Sequence, residues 1–484
     1  MTVVVVGNGM AGHRLAQSLR ARRADLPVTV LGAEPRPAYN RVLLSAVLAG
    51  ASTPEAVELA DARVDLRLGA QVVGIDTRAR RVTLADESVL GYHDLVLATG
   101  SRAVIPPVDG LAEPDGSPAP GVVPFRTIED CQRITELAGR GPMAVVGGGL
   151  LGIEAARGLA GLGVDVTVVH PVGHLMERQL DPGGGSVLAG VLAGLGVRLR
   201  LGVAAASWLP AEPRKAGSGL GVLTLTDGST LDVAGVVVSA GVAPQTWLAR
   251  SAGLRVSRGV VVDDRMATSV SRVHAIGECA EHRGSCYGLV GPCWEQADVL
   301  ADLLTGADPA ARYTGSALVT RLKARDVDLA AMGEIGADGA ELVQISDAAR
   351  GRYGALALRS GRVTGAVLLG LPEATGPVIQ LFDSGAPAPT DRFALLLGRA
   401  VGGTVTDSPA QLPARAVICR CNGVSKGELV TAWSEGAREP AALAAATRAT
   451  TGCGSCADAV DGLCAWLNEA DPQPAVPAGQ EGAA

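Results

Sequence analysis

Val3-Val4-Val5-Val6-Gly7-Asn8-Gly9-Met10-Ala11-Gly12 opens the chain, and Ala144-Val145-Val146-Gly147-Gly148-Gly149-Leu150-Leu151-Gly152 repeats its plan 140 residues later. In each copy a β-branched run leads into Gly-x-Gly-x-x-Gly, an Ala/Leu-rich helical segment follows, and a second strand comes next, Val28 to Leu31 or Val166 to Val169. Each copy reads as a βαβ unit. Glycines at this spacing permit a tight turn and let backbone N–H groups approach a pyrophosphate at a helix N-terminus. One such loop is weak evidence and equally describes an ordinary turn. Two, each between strand and helix, predict an α/β chain with two Rossmann-like dinucleotide-binding domains. The cofactor-binding candidates are Gly7, Gly9 and Gly12 in the first loop and Gly147, Gly149 and Gly152 in the second.

The 484 residues are 48% apolar and 19% charged, enough to bury several cores. A formal net charge of -7 without any Lys/Arg-rich run argues against nucleic acid or anionic lipid as a partner. No apolar stretch reaches the ~18 residues of a membrane span, and the N-terminus has neither a charged segment nor a cleavage site, so a cytoplasmic location is expected. Nine cysteines, an odd number in a reducing compartment, suit ligand and core roles better than disulfides.

Beyond the second repeat the pattern changes. Residues 312–400 carry short alternating strands, with Tyr353 to Leu358 and Arg362 to Leu369 flanking Ser360-Gly361 as a hairpin, and read as a small α+β domain. Pro409 and Pro413 lie in a linker to a last domain at 415–468, where Ser425-x-x-Glu428 is a capping box that starts a helix. The segment 471–484, rich in Pro, Gly, Ala and Glu, reads as a disordered tail. Inside the last domain Cys419-x-Cys421 and Cys453-x-x-Cys456 supply four thiols, separated by 31 residues that suffice for a helix, a turn and a helix. Four thiolates suit a [2Fe–2S] cluster or a structural Zn(Cys)4 site, although zinc sites more often pair cysteines as C-x2-4-C.

An acid at the end of the second strand grips the ribose hydroxyls in such sites. Glu34 fits that role in the first unit, two residues later than the aligned place in the second. His170 stands at the aligned place in the second unit, followed by His174 and Arg178. Loss of the acid removes repulsion of a 2′-phosphate and admits NADPH, whereas a solvated loop histidine would mean nothing. NADH against NADPH stays open.

Two more segments extend the pattern, Leu95-Val-Leu-Ala-Thr99-Gly100 and Val273-His-Ala-Ile-Gly277-Glu278, each a strand leading into Gly or an acid. With both loops in this order, residues 1 to about 305 resemble the pyridine nucleotide-disulfide oxidoreductase superfamily. The resemblance implies FAD on the first loop, within 1–120 and 245–308, with Glu278 binding the ribityl chain and Thr99, Gly100 and Gly277 beside it. It implies NAD(P)H on the second, within 121–244, with Glu154 near the nicotinamide and Gly241 closing that domain. Glu154 as a surface helix residue and Glu278 as a helix cap are the plainer alternatives.

Members that reduce disulfides carry a redox cysteine after the first unit, where this chain has Tyr39-Asn40-Arg41-Val-Leu43-Leu44-Ser45. Electrons must therefore leave the flavin by another route. That segment resembles NAD(P)H nitrite reductase large subunits and rubredoxin reductases, which implies that Arg41 faces the flavin; Arg41 and Glu154 are the catalytic candidates. The lysine that some ferredoxin reductases place after the serine is replaced by Ala46, so the group at flavin N5 stays open. The segments around Cys419 and Cys421 and around Cys453 and Cys456 resemble the bacterioferritin-associated ferredoxin-like [2Fe–2S] domain. That makes these four cysteines the metal ligands, with Arg420, Lys426 and Arg448 either offsetting the cluster's charge or solvated. Cys464 shares a helical face with Val460, Leu463 and Leu467 and reads as core, while Cys131, Cys279, Cys286 and Cys293 show no ligand spacing.

The domain order resembles the front portion of nitrite reductase large subunits, without the cysteine clusters of their sirohaem half. It also resembles the electron-transfer subunit of bacterial assimilatory nitrate reductase. This implies NAD(P)H oxidation through FAD and the cluster to a redox partner, the molybdenum-containing nitrate reductase catalytic subunit. A ferredoxin or rubredoxin reductase, the NAD(P)H side of a nitrite reductase, or a redox- or iron-sensing module are the alternatives. Whether the α+β domain makes a homo-oligomer is left open.

Overall fold

The computed structural model describes residues 2–211, 219–336, 338–399, 412–414, 416–419, 422–451 and 456–471. The chain divides into two units, residues 1–401 and 402–484.

In the first unit β1 (Val3–Val6) lies between β2 (Val28–Leu31) and the strand Asp94–Leu97, parallel to both, with Val3 opposite Val28 and Asp94. All four valines are buried, as expected of a parallel strand covered on both faces. Val273–Ala275 and β3 (Asp65–Arg67) complete the five-stranded sheet, and α1 (Met10–Arg22) crosses between β1 and β2. The second repeat builds the same core: Met143–Val146 lies between Val166–His170 and Gly235–Val238, with Val197–Leu201 and Val122–Pro124 outside them.

The repeat extends to the backbone of the loops. Gly7 has φ +115° and a Cβ there would stand 2.2 Å from the Ala98 carbonyl oxygen; Gly147 has φ +120° and would meet the Ser239 carbonyl oxygen at 2.2 Å. A Cβ on Gly12 or Gly152 would stand 2.0 Å from the carbonyl oxygen of Gly7 or Gly147. Only glycine lets strand, turn and helix close this tightly.

The α+β segment is a five-stranded antiparallel sheet in the order Val319–Arg321, Leu329–Gly333, Arg362–Leu369, Arg352–Arg359, Glu341–Asp347. The expected hairpin is present: Ser360 and Gly361 both take positive φ, +50° and +70°, the two-residue turn whose twist suits paired strands. The helix Pro372–Ser384 packs on one face. The other face shares a core with the second repeat, where Tyr353, Val367 and Leu329 join Ile153, Leu188 and Val145. Among the described residues no helix is long and apolar enough to cross a membrane.

The second unit pairs Val417–Cys419 with Val424–Ser425 and adds the helices Lys426–Ser434, Pro440–Thr447 and Ala457–Ala470. The capping box forms as expected, with Ser425 Oγ accepting from Glu428 N and Glu428 Oε2 accepting from Ser425 N at 2.7 Å. Pro409 and the tail 472–484 lie outside the described residues.

Candidate functional site

The first loop is faced by an ionic belt from four chain segments. Glu34, three residues beyond β2, accepts from Arg41 Nη2 and, at 2.9 Å, from the Tyr39 hydroxyl; Arg41 Nη1 donates to that hydroxyl at 2.7 Å. The guanidinium also lies 4.6 Å from the Tyr39 ring centroid and beside Gly9, whose added Cβ would stand 3.9 Å from Nε. Asn40 starts the 3-10 turn Arg41–Leu43 by accepting from Val42 N, and this turn aims Arg41. Burial, with Glu34 adding to it and Arg41 opposing, pushes the Tyr39 phenol up, so it stays a neutral donor. Burial alone would lower Arg41, but it is raised above its usual value, with the Glu34 carboxylate beside it, by charge and hydrogen bond, favouring the guanidinium.

Glu278 sits in the 3-10 turn Gly277–Cys279 and pairs with Arg126. It is therefore an ion-pair partner as well as a first-turn acid. Gly277, at φ +78°, would press a Cβ to 2.8 Å from Ala11 in α1, and its N–H donates at 2.8 Å to Gln296. Arg41 also donates to the Arg126 carbonyl at 3.3 Å, which links the Glu34 and Glu278 ends of the belt. Arg126 and Gln296 had no signal in the sequence, because each acts through a partner distant along the chain. Thr99 Oγ1 donates to the Gln245 carbonyl at 2.9 Å and Gly241 accepts from Val104 N at 3.0 Å. Thr99, Gly100 and Gly241 thus stand where the antiparallel pair Ser101–Ala103 and Val242–Pro244 joins the two sheets.

At the second loop Glu154 is buried, 2% exposed, which excludes the surface-helix alternative. Its Oε1 accepts from Lys323 N at 3.0 Å and Lys323 Nζ at 3.1 Å, while Oε2 is buried without a partner among the described residues. Lys323 follows the first strand of the antiparallel sheet. One turn along α4 (Leu150–Gly161, after α2, Leu44–Leu48, and α3, Ile128–Ala138), Arg157 pairs with Asp326 at 2.7 Å. His170 is likewise no solvated loop residue: it ends its strand 4% exposed, accepts from Gly148 N at Nδ1 (3.1 Å) and meets Glu177 Oε2 at Nε2 (3.1 Å).

No thiol stands in place of the redox cysteine. Cys131, on α3, donates to the Leu44 carbonyl at 3.6 Å from full burial, which pushes its thiol up to about 12. Burial likewise pushes Cys279 and Cys293 up; they donate to the Leu97 and Leu289 carbonyls at 3.4 and 3.2 Å. Cys464 is core, as its helical face implied, and bonds the Arg438 carbonyl at 3.1 Å.

In the second unit Cys419 is 0% and Cys456 6% exposed, the latter at the N-cap of its helix, where the dipole favours a thiolate. Cys421, Cys453 and Arg420 lie outside the described residues. Asn422 Nδ2 donates to the Arg448 carbonyl at 2.5 Å and to Thr451 Oγ1 at 3.2 Å, so the residue after Cys421 meets the segment that precedes residue 452. Among the described residues no group of three or more His, Cys, Asp or Glu could hold a metal. Lys426 is not solvated; its Nζ donates to the Leu412 carbonyl at 2.7 Å and lies 5.5 Å from the Trp466 ring centroid.

Two glycine loops on parallel sheets, joined by a common antiparallel strand pair and lacking a redox thiol, define a two-dinucleotide oxidoreductase body. The chain belongs to the pyridine nucleotide-disulphide oxidoreductase family, whose model matches residues 1–297. Residues 319–374 match the rubredoxin NAD+ reductase C-terminal domain and 417–466 the BFD-like [2Fe-2S] binding domain. Nitrite reductase [NAD(P)H] of Bacillus subtilis is 35% identical over 472 residues, 95% of this chain and 57% of that protein. The assimilatory nitrate reductase electron transfer subunit of the same organism is 34% identical over 481 residues, 97% of this chain and 60% of that one. The chain thus spans less than two thirds of the length of these curated relatives. The covalent putidaredoxin reductase–putidaredoxin complex superposes with a TM-score of 0.71 at 26% identity, over 80% of this chain and 94% of that chain.

These matches bring FAD, NAD(P)H and a [2Fe–2S] cluster as cofactors, and the residues fit them. The first loop presents Asn8 Nδ2, a buried donor without a partner among the described residues. Around Gly149 an added Cβ would meet nothing within 4 Å, and Glu154 Oε2 is an unused buried acceptor. For the cluster, Cys419 at a strand end and Cys456 at a helix N-cap supply two buried sulfurs.

Proposed function

We propose that this chain is an electron-transfer flavoprotein that oxidises NAD(P)H and delivers single electrons to a redox protein, the molybdenum-containing catalytic subunit of an assimilatory nitrate reductase. When bound, FAD takes up hydride and the [2Fe–2S] cluster handles electrons singly. The observation that carries this reading is the pairing, in one chain, of a flavoprotein body without a redox thiol and a separate four-cysteine unit. FAD would occupy 1–120 with 245–308, NAD(P)H 121–244, and the cluster 415–468, with 312–400 as an interface domain.

In this reading the amides after Gly7 and Gly9 and the N-terminus of α1 hold the FAD pyrophosphate. Glu34 binds the adenosine ribose, oriented by Tyr39 and Arg41, and Arg41 meets the flavin side. Glu278, held by Arg126, faces the ribityl chain, with Thr99, Gly100 and Gly277 giving it room. Gly147, Gly149 and Gly152 seat the NAD(P)H pyrophosphate, His170 supports that loop, Glu154 accepts from the nicotinamide end, and Gly241 lets the domains meet. Cys419, Cys421, Cys453 and Cys456 ligate the cluster.

Nitrate-dependent NAD(P)H oxidation in a mixture of this chain with the separate catalytic subunit tests the reading; no stimulation by that subunit refutes it. A second reading, the NAD(P)H side of a nitrite reductase, is supported by the 35% identity to the Bacillus subtilis nitrite reductase. Nitrite-dependent oxidation with a sirohaem partner would support it instead.

A further inference from the structure

Resting on the second loop as the NAD(P)H site, we propose that the chain selects NADH over NADPH, with Glu177 as the specificity-determining residue and His170 as its positioning residue. The two repeats differ in one exchange of size. In the first, Asn8 covers Gly32, whose added Cβ would stand 3.0 Å from the Asn8 Cβ. In the second the large residue moves to the strand end: a Cβ on Gly148 would stand 2.8 Å from Cγ of the His170 ring. The imidazole therefore fills the loop from beneath instead of reaching outward.

Its hydrogen bonds fix its charge. Gly148 N–H donates to Nδ1, so Nδ1 carries a lone pair and the ring is neutral, with its proton on Nε2 directed at Glu177 Oε2. A neutral ring whose N–H is committed to Glu177 offers no positive charge to a 2′-phosphate. The same glycine accepts from Met176 N at 3.0 Å, and Met176 turns at φ +53°, so both polar groups of Gly148 hold Glu177 beside the loop. The charge presented at the strand end is then a carboxylate, 36% exposed, seven residues later than the usual acid. A carboxylate there accepts from ribose hydroxyls and repels a 2′-phosphate. The cations of the neighbouring strand are committed elsewhere: Arg200 to Asp227 at 2.6 Å and Arg198 to Asp165 at 2.5 Å. Exposed Arg178 is the opposing group, since it could attract the phosphate.

Calorimetric titration of the FAD-loaded chain with NAD+ and with NADP+ tests this without turnover. Wild type is expected to bind NAD+ at least about tenfold more tightly. Glu177→Gln should close most of that gap by tightening NADP+, and the wild-type gap should narrow as salt is raised. Wild-type preference for NADP+, abolished by Arg178→Ala, overturns the proposal, as does a ratio that Glu177→Gln leaves unmoved. Binding of neither dinucleotide removes the proposal together with the reading of the loop, which separates the two failures.

Discussion

Replacing Lys323 with alanine removes the only side-chain cation that Glu154 touches among the described residues, in a site where the carboxylate is 1% exposed. The backbone N–H of residue 323 would remain at 3.0 Å, but Oε2 already has no partner among the described residues, so among them the charge would be left with a single donor. Breaking a buried pair costs about 3–5 kcal/mol, and the retained N–H together with the lysine's 22% exposure points to the lower end, about 3 kcal/mol. Glu154→Gln keeps the shape and removes the charge, at about 1–2 kcal/mol. The double variant has no buried charge to strand, so its loss should be about 2 kcal/mol, well short of the sum of the single losses. Urea unfolding of the FAD-loaded chain, followed by flavin fluorescence, should rank Lys323→Ala below the double variant. The neighbouring pair grades the effect: Asp326 is 53% exposed and Arg157, 10% exposed, keeps its bond from Nε to the Arg325 carbonyl at 3.1 Å, so Asp326→Ala should cost less than Lys323→Ala, about 1–2 kcal/mol, although it joins the same two elements. Additive losses, or a Lys323→Ala variant within about 0.5 kcal/mol of wild type, would refute the claim that burial makes the first pair strong.

Gly12→Ala would force a Cβ to 2.0 Å from the Gly7 carbonyl and should cost about 1–3 kcal/mol and FAD retention, read as flavin content after purification. Gly149→Ala meets nothing within 4 Å, so it should leave the thermal midpoint unchanged and still weaken NAD+ binding; unchanged binding would move the pyrophosphate away from this loop. Cys419→Ser and Cys456→Ser should each reduce iron and acid-labile sulfide to background while flavin stays bound, and retained iron would remove that cysteine from the ligand set. Because burial pushes Cys131 up to about 12, its thiol deprotonates only as pH rises toward that value, leaving a thiolate fraction of about 10⁻⁴ at pH 8. Iodoacetamide at pH 8 should therefore spare Cys131 and label the half-buried Cys286 ahead of it, as mass spectrometry would report.

What could be read from the sequence is what single residues enforce locally. Gly7 and Gly12 mark the loop because any Cβ would strike backbone, Ser360-Gly361 marks the hairpin because both residues take positive φ, and Ser425 with Glu428 closes its box within one turn. What escaped depends on partners that only the fold brings together. Arg126 meets Glu278 across 152 positions, and Lys323 meets Glu154 across 169. No local period or spacing encodes such a pair.

His170 is the instructive middle case. Its identity was plain and its role was not, because burial of a strand-end side chain depends on what stands opposite. Yet that information was present in the repeat itself. Aligning the two units sets Asn8 against Gly148 and Gly32 against His170, a large-small pair in one copy and a small-large pair in the other. Close packing allows one side chain of that size between loop and strand end, so a reciprocal exchange means that the two positions touch. A histidine on the large side of such an exchange is committed to the loop, and the acid that reads the ribose must be sought further along the chain. Glu177 is the first acidic residue after His170.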